Sequence, residues 1–245
     1  YRVFADEMGA QNLWVPGTQL NDGIAYDYAQ GRRLIRSTHN FENDILACAQ
    51  NIAKRYMSSK SHVRAVLKVA ETIFDSMRRV HGMGPRERLL LQIAVLIHAC
   101  GKFISMKNSN ECGYTLIMST EIIGLSHLER EIIANVVRYN IRDFDYDMMQ
   151  LETEAGQDLA GVSDRTAITI LIAKLTAILR LANSMDKTHK SKLIDCRMAV
   201  REGQLVITTG YKGDLALESA SFEQKAAFFE EIFGIRPVLK QKRRV

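Results

Sequence analysis

The sequence predicts a mainly α-helical chain that ends in a small α+β subdomain, and three observations carry the prediction. Apolar residues recur at the helical period of about 3.6 between Asn40 and Asn183. Beyond residue 190 that period gives way to alternation of apolar and polar residues. Turn formers are scarce, with 3 Pro and 15 Gly in 245 residues, which argues against a turn-rich sandwich and for long helices.

The elements follow in order. Residues 1–30 read differently from the rest: Val3-Phe4-Ala5 and Asn12-Leu13-Trp14-Val15 look short and partly β-like, Pro16-Gly17 turns the chain, and too little apolar material is present to close a domain. Ile45, Leu46, Ala49, Ile52, Ala53 and Tyr56 form a first helical stripe. Val63, Val66, Leu67, Ala70, Ile73, Phe74 and Met77 form a second, with Ser61 as its N-cap. Gly82 and Gly84 stop that helix, and Pro85 opens the next at the first helical position. A further helix spans Ser126 to Tyr139. A long, nearly all-apolar one from Asp164 to Asn183 reads as the centre of a bundle. Ile194, Cys196, Met198 and Val200, the Glu202-Gly203 turn and Leu205-Val206-Ile207-Thr208 then predict a hairpin. A last helix, Phe222 to Phe233, is closed by Gly234, and Val238-Leu239 follows as an edge strand. The division expected is 1–30, 31–190 and 191–245.

Composition bounds the function. Hydrophobic residues make up 47% and charged residues 25%, so disorder is not the default. The net charge of +5 suits an anionic ligand and equally an ordinary basic surface. Cys48, Cys100, Cys112 and Cys196 form no C-x-x-C pair and read as reduced thiols of a cytoplasmic protein. No stretch approaches the ~18 apolar residues of a membrane span, and none reads as a signal peptide; a start at Tyr1 suggests a piece of something longer. The ten methionines, Met148-Met149 included, read as core filler. The terminal Lys240 to Arg244 run reads as a solvated tail. Nucleic acid ranks last among partners, because no aromatic-interleaved basic sheet or recognition-helix motif accompanies the charge.

The stretch that should carry chemistry is Leu96-Ile97-His98-Ala99-Cys100-Gly101-Lys102-Phe103-Ile104-Ser105. With His62 one helix earlier and Leu179-Arg180-Leu181-Ala182-Asn183-Ser184-Met185-Asp186 downstream, it resembles the HD-domain layout. There a His, a His-Asp pair and a distal Asp converge on divalent metals, because imidazoles and carboxylates hold a metal that activates water. Further segments resemble one family, the exopolyphosphatase/guanosine-pentaphosphate phosphohydrolases. They are Gly84-Pro85-Arg86-Glu87-Arg88-Leu89-Leu90-Leu91, Gly124-Leu125-Ser126-His127-Leu128-Glu129-Arg130-Glu131-Ile132-Ile133, Val137-Arg138-Tyr139, Leu179-Arg180-Leu181-Ala182 and Phe228-Phe229-Glu230-Glu231-Ile232-Phe233-Gly234. Asp22-Gly23-Ile24-Ala25-Tyr26-Asp27 is similar to the segment that ends the family's second actin-like domain.

The resemblance implies an HD-like helical bundle at 31–190, the tail of an actin-like (ribonuclease-H-like) domain at 1–30, and a small α+β subdomain at 191–245. It also implies that catalysis, with magnesium and phosphate loops, belongs to domains this chain lacks. The parent would release terminal phosphate from polyphosphate or guanosine pentaphosphate. This part, without catalytic residues or a cofactor of its own, would bind the polyanion and form a homodimer; a non-catalytic module for a guanosine alarmone is the alternative. The metal motif is eroded: Ala99 follows His98 where an acid is expected, Ser109-Asn110-Glu111-Cys112 replaces a His-rich loop, Asn140 follows Arg138-Tyr139, and Asn183 follows Ala182. His62, His98 and Asp186 remain, read as a fold remnant and not a metal site. Lys102, Lys107, Arg138, Lys187 and Lys190 sit near the same helix ends and could line a cationic groove or simply be solvated.

Overall fold

The computed structural model describes residues 1–12, 14–32, 34–35, 39–146 and 165–242. The chain divides into two compact units, Tyr1–Asn40 and Phe41–Val245. The first holds two helices, α1 (Arg2–Glu7) and α2 (Leu20–Gly31), neither with a buried residue. The β-like reading of Val3-Phe4-Ala5 is therefore corrected. Among the described residues of the unit there is no strand, and the backbone groups satisfy one another locally: Ala5 N–H donates to the Tyr1 carbonyl and Met8 N–H to that of Phe4. Asn12, Trp14 and Val15 adopt no regular structure, and Leu13 lies outside the described residues.

The second unit is a helical bundle with a small sheet at its end. Its helices are α3 (Phe41–Arg55), α4 (Lys60–Ser76), α5 (Arg78–His81), α6 (Pro85–Ile97), α7 (Ser109–Met118), α8 (His127–Tyr139), α9 (Arg165–Ser184) and α10 (Ala216–Phe233). Helix α4 begins earlier than expected, with Ser59 and not Ser61 as its cap residue. Pro85 does occupy the opening of α6, where Glu87 accepts the Gly84 N–H at 2.7 Å. Ser126 caps α8 in a capping box with Glu129. That carboxylate also takes a two-pronged bond from Arg86, at 2.6 and 2.8 Å, which ties the start of α6 to the start of α8. Burial alone would raise the Glu129 carboxyl, but the bonds from Arg86 and the Ser126 N–H outweigh it and hold it below the ordinary value.

Helix α9 is the hub. It packs against α4, α6, α8 and α10, while α6 also meets α3, α4 and α8. By length and composition α9 could cross a bilayer, contrary to the expectation that no segment comes close. Its packing assigns it another place: Ile172, Leu175, Ile178, Leu179 and Leu181 are wholly buried in the common core. Its cations are satisfied within the protein. Arg180 Nε donates to the Tyr139 carbonyl at 2.7 Å and lies over the Phe228 ring, and Lys174 donates to the His81 carbonyl. Asp164, where the sequence places the start of this helix, is outside the described residues, as are Met148-Met149 and the last three residues of the chain.

The hairpin forms with a shorter first strand than read: Cys196 precedes it, and Ile194 lies in a turn where its N–H bonds back to the Ser191 carbonyl. Strand β1 (Arg197–Arg201) pairs antiparallel with β2 (Gln204–Thr209) across Glu202-Gly203, both at positive φ. Helix α10 then returns the chain so that β3 (Arg236–Gln241) adds parallel to β2 as the edge strand, with Val206 opposite Val238. Leu205 and Ile207 of β2 and Phe222 and Phe229 of α10 belong to the same core cluster as the helices.

After α6 the chain makes a 3-10 turn, Cys100–Phe103, that lies against α7. Gly101 permits this approach: a Cβ there would sit 1.9 Å from the Ser109 carbonyl oxygen and 2.6 Å from the Gly113 nitrogen, both backbone atoms. Gly101→Ala must push α7 away from this turn, and we expect a loss of about 2–3 kcal/mol in urea unfolding. A Gly101→Ala protein as stable as the parent would show that the close approach is not required.

Candidate functional site

The site is assembled at the N-terminal turn of α4. His62 stands in that turn, His98 follows the last residue of α6, and Asp186 and His189 lie in the segment that follows α9. Across 124 residues of sequence, His62 Nδ1 and Asp186 Oδ2 are hydrogen-bonded at 2.8 Å, with both side chains buried. Asp186 Oδ1 accepts the Ser191 N–H at 2.6 Å, so both of its oxygens are engaged. The His62 ring stacks on His189, centroids 3.8 Å apart and planes at 12°, and lies 5.4 Å from the His98 ring. His98 Nδ1 donates to the Val95 carbonyl at 2.7 Å. That fixes the tautomer and leaves a lone pair on Nε2. Among the described residues, neither His62 Nε2 nor His98 Nε2, both buried, has a hydrogen-bond partner.

The segment that carries Asp186 and His189 is held from α10. Glu218, fully buried in the first turn of that helix, accepts from Thr188 Oγ1 and from Lys192 Nζ at 3.0 Å. Lys192 Nζ also donates to the Asp214 carbonyl. Burial would raise the Glu218 carboxyl, and the bonds from Thr188 and Lys192 lower it instead. These anchors hold two non-glycine residues, His189 and Ser191, at φ of 56° and 52°. The left-handed region costs about 1–2 kcal/mol per such residue and persists only where the surroundings impose it.

A cavity of about 220 Å³ opens at this point, lined by Ser58, Ser59, His62, Lys102, Phe103 and His189 among others. A wider hollow beside α7, bordered by Glu111 and Ser119, shares the Tyr56 wall with it. Of the residues read from sequence, His62, His98 and Asp186 do meet. Lys102 borders the cavity, and Lys187 is exposed one residue past Asp186, with Lys190 beside His189. Lys107 is exposed and borders neither hollow. Arg138 lies elsewhere on α8, bonded to Glu111 at 2.9 Å and over the Tyr114 ring, with Arg142 on the same carboxylate. His189 is not among the residues singled out from sequence, although an aromatic three residues past Asp186 was a usable signal. Glu218 gave no signal, because nothing near it in sequence suggests Thr188.

The donor set does not fit a divalent cation. Among the described residues no three His, Cys, Asp or Glu side chains are grouped to hold a metal. Asp186 spends both oxygens on His62 and Ser191, and Ala99 and Asn183 supply no charge. What the arrangement offers is a cationic rim, an oriented imidazole and hydroxyl groups.

Comparison with known proteins agrees with the residue pattern. Residues 46–226 match the family described as Ppx/GppA phosphatase, domain III. The chain belongs to the Ppx/GppA phosphatase family. It is also 23% identical over 133 residues to a guanosine-5'-triphosphate,3'-diphosphate pyrophosphatase of Photobacterium profundum. That match covers 54% of this chain and 25% of the relative, so the aligned part spans about a quarter of the relative's length. The Ppx/GppA domain III match takes in α4, α6, α8 and α9 whole, together with every member of the histidine–aspartate cluster.

Burial pushes the His98 imidazole down to about 4, against the pull of the Val95 carbonyl and aided by His62, Lys102 and His189. The unfolded chain, with an ordinary value of 6.5, therefore takes up this proton first as pH falls. His98 stabilises the fold fully above pH 6.5, and that contribution is lost as pH drops toward 4, amounting to about 3 kcal/mol. Burial lowers His81 in the same sense. In His98→Asn, whose amide can still reach the Val95 carbonyl, the stability difference between about pH 7 and about pH 4.5 should shrink by on the order of 2–3 kcal/mol in urea titrations. An unchanged difference would mean that His98 is charged in the folded protein.

Proposed function

We propose that this chain is the C-terminal portion of an exopolyphosphatase-type phosphohydrolase, and that it binds the polyanionic substrate and pairs two subunits. In this reading, release of terminal phosphate from polyphosphate or guanosine pentaphosphate belongs to actin-like domains of the whole protein, which use magnesium. Residues 1–30 are the tail of such a domain, 31–190 a degenerate HD-like domain and 191–245 its small C-terminal subdomain. The setting is cytoplasmic, in keeping with four unpaired thiols.

The observation that carries the reading is positive charge left uncompensated at the cluster. Lys102, Lys187 and Lys190 are exposed around the histidines. Unlike Lys192 and Arg138, which are paired with Glu218 and Glu111, they form no ion pair among the described residues. Clustered cations of this kind draw and hold a phosphate chain without a metal. Lys107 extends the surface, and Arg138 would join it only by sharing itself with Glu111.

A second reading, a non-catalytic module for a guanosine alarmone, is favoured by the relative's activity on a guanosine pentaphosphate. Calorimetry separates the two. The chain should take up medium-length polyphosphate without releasing phosphate, and replacing Lys102, Lys187 and Lys190 together by Gln should weaken binding about tenfold or more at ~0.1 M salt. Tight binding of guanosine tetraphosphate with no uptake of polyphosphate would favour the module. Phosphate release by this chain, abolished in His98→Ala, would refute the non-catalytic assignment. Light scattering at micromolar concentration should give a dimer, and a monomer would count against pairing.

A further inference from the structure

The polyanion reading leaves open where on this surface a phosphate would be held specifically, and the cavity at the start of α4 has the chemistry to do so. Helix α4 runs for 17 residues, and among the described residues its cap residue Ser59 accepts no first-turn backbone N–H with its side chain. Ser59 Oγ lies instead 3.3 Å from Ser61 Oγ. The first-turn N–H groups, which have no partner inside the helix, therefore lack a side-chain cap at the mouth of the cavity.

A second observation, independent of the helix end, points to a ligand. His62 is only 2% exposed, lines this cavity, and has no partner on Nε2. Its opposite edge is fixed by Asp186, so the ring is oriented with one unused hydrogen-bonding atom. A bound phosphate can share a proton with that atom, either from an imidazolium held by Asp186 or from its own P–OH group.

The charges at the cavity have the matching sign. Lys102 lines it and Lys187 is an exposed charge near His189, whereas the carboxylates of this segment are engaged, Asp186 by His62 and Ser191 and Glu218 by Thr188 and Lys192. His189 is held below the ordinary imidazole value, first by burial and then by its neighbours His62, Lys102 and Lys187, against Asp186. Imidazoles and lysines thus outnumber the acids here, and the acids are already bonded, which favours an added anion over a metal ion. Ser58 and Ser59 add hydroxyl donors.

We propose that this cavity is a phosphoryl-group site that takes one terminal phosphate through the α4 N-terminus, His62 and Lys102. It rests on the polyanion reading for its biological ligand but not for its chemistry. The site anchors a chain end, while the lysines outside it hold the remainder.

The decisive variant is Ser59→Asp. Aspartate is a good cap, so the helix should be kept or strengthened while its carboxylate occupies the phosphate position. Inorganic phosphate added to the 245-residue chain should shift the His62 and His189 ring signals in ¹H–¹⁵N spectra saturably. Ser59→Asp and Lys102→Gln should each weaken this at least tenfold, with thermal stability of Ser59→Asp not reduced. Long-chain polyphosphate and guanosine 5'-triphosphate, titrated separately, identify the source of the phosphoryl group by which one displaces inorganic phosphate. If long-chain polyphosphate binds the parent and Ser59→Asp equally and inorganic phosphate leaves both ring signals unmoved, the phosphoryl site is wrong and the polyanion reading stands. If inorganic phosphate binds as described but polyphosphate does not, the site stands and the polyanion reading falls. Phosphate binding that occurs only after addition of Zn²⁺ or Mn²⁺, and is lost in His98→Asn, would overturn the proposal in favour of a metal site.

Discussion

Helix α9 is apolar along most of its length, and its apolar faces are stable in water only where neighbours cover them. That one requirement organises the second unit. Helices α4, α6 and α8 cover part of the circumference and α10 covers more from the far end of the sequence, while Ile170 near the start of α9 stays 48% exposed. Covering α9 with α10 brings the β-strands into the common core, which is why Leu205 and Phe229 pack with Ile178 and Leu179. The same placement sets Glu218 beside Thr188 and Lys192. The end of α9 is thereby held against the start of α4, where Asp186 meets His62.

The polar groups drawn into this core follow one rule: each buried charge is engaged by bonds that leave few donors idle. Arg180 donates to the carbonyls of Tyr139 and Arg142 at the end of α8 and rests on Phe228. Glu218 carries a lysine and a threonine. The exceptions among the described residues of this unit are the Nε2 atoms of His62 and His98, Arg130 Nε, Thr176 Oγ1 and both side-chain polar atoms of Asn140, all buried without a partner. The structure gives no physical account of Asn140.

The acids of the cluster are few and engaged. Ala99 and Asn183 carry no charge, and Asp186 is the partner of His62 and of the Ser191 backbone. Lys102 and Lys187 stand exposed beside the imidazoles. On the anion reading proposed above, the helix ends that gather the histidines present Lys102 to a phosphate, because the charge left unpaired there is positive.

The sequence by itself determined the helix stripes, the Pro85 and Ser126 helix starts, the hairpin turn and the family, because these are local or periodic signals that need no partner. It also identified His62, His98 and Asp186 as a set, through their match to a known layout. It misjudged Val3-Phe4-Ala5, where the residue types are compatible with either state and the absence of a pairing strand decides, and it underrated the bilayer-like composition of α9. Only the tertiary structure decided what those residues do. Which imidazole edge is bonded, which is idle, and that Arg138 is tied to Glu111 while Lys102 is not, depend on contacts between segments far apart in the chain. Composition and spacing carry no record of such contacts, since they arise from how the helices are packed around α9.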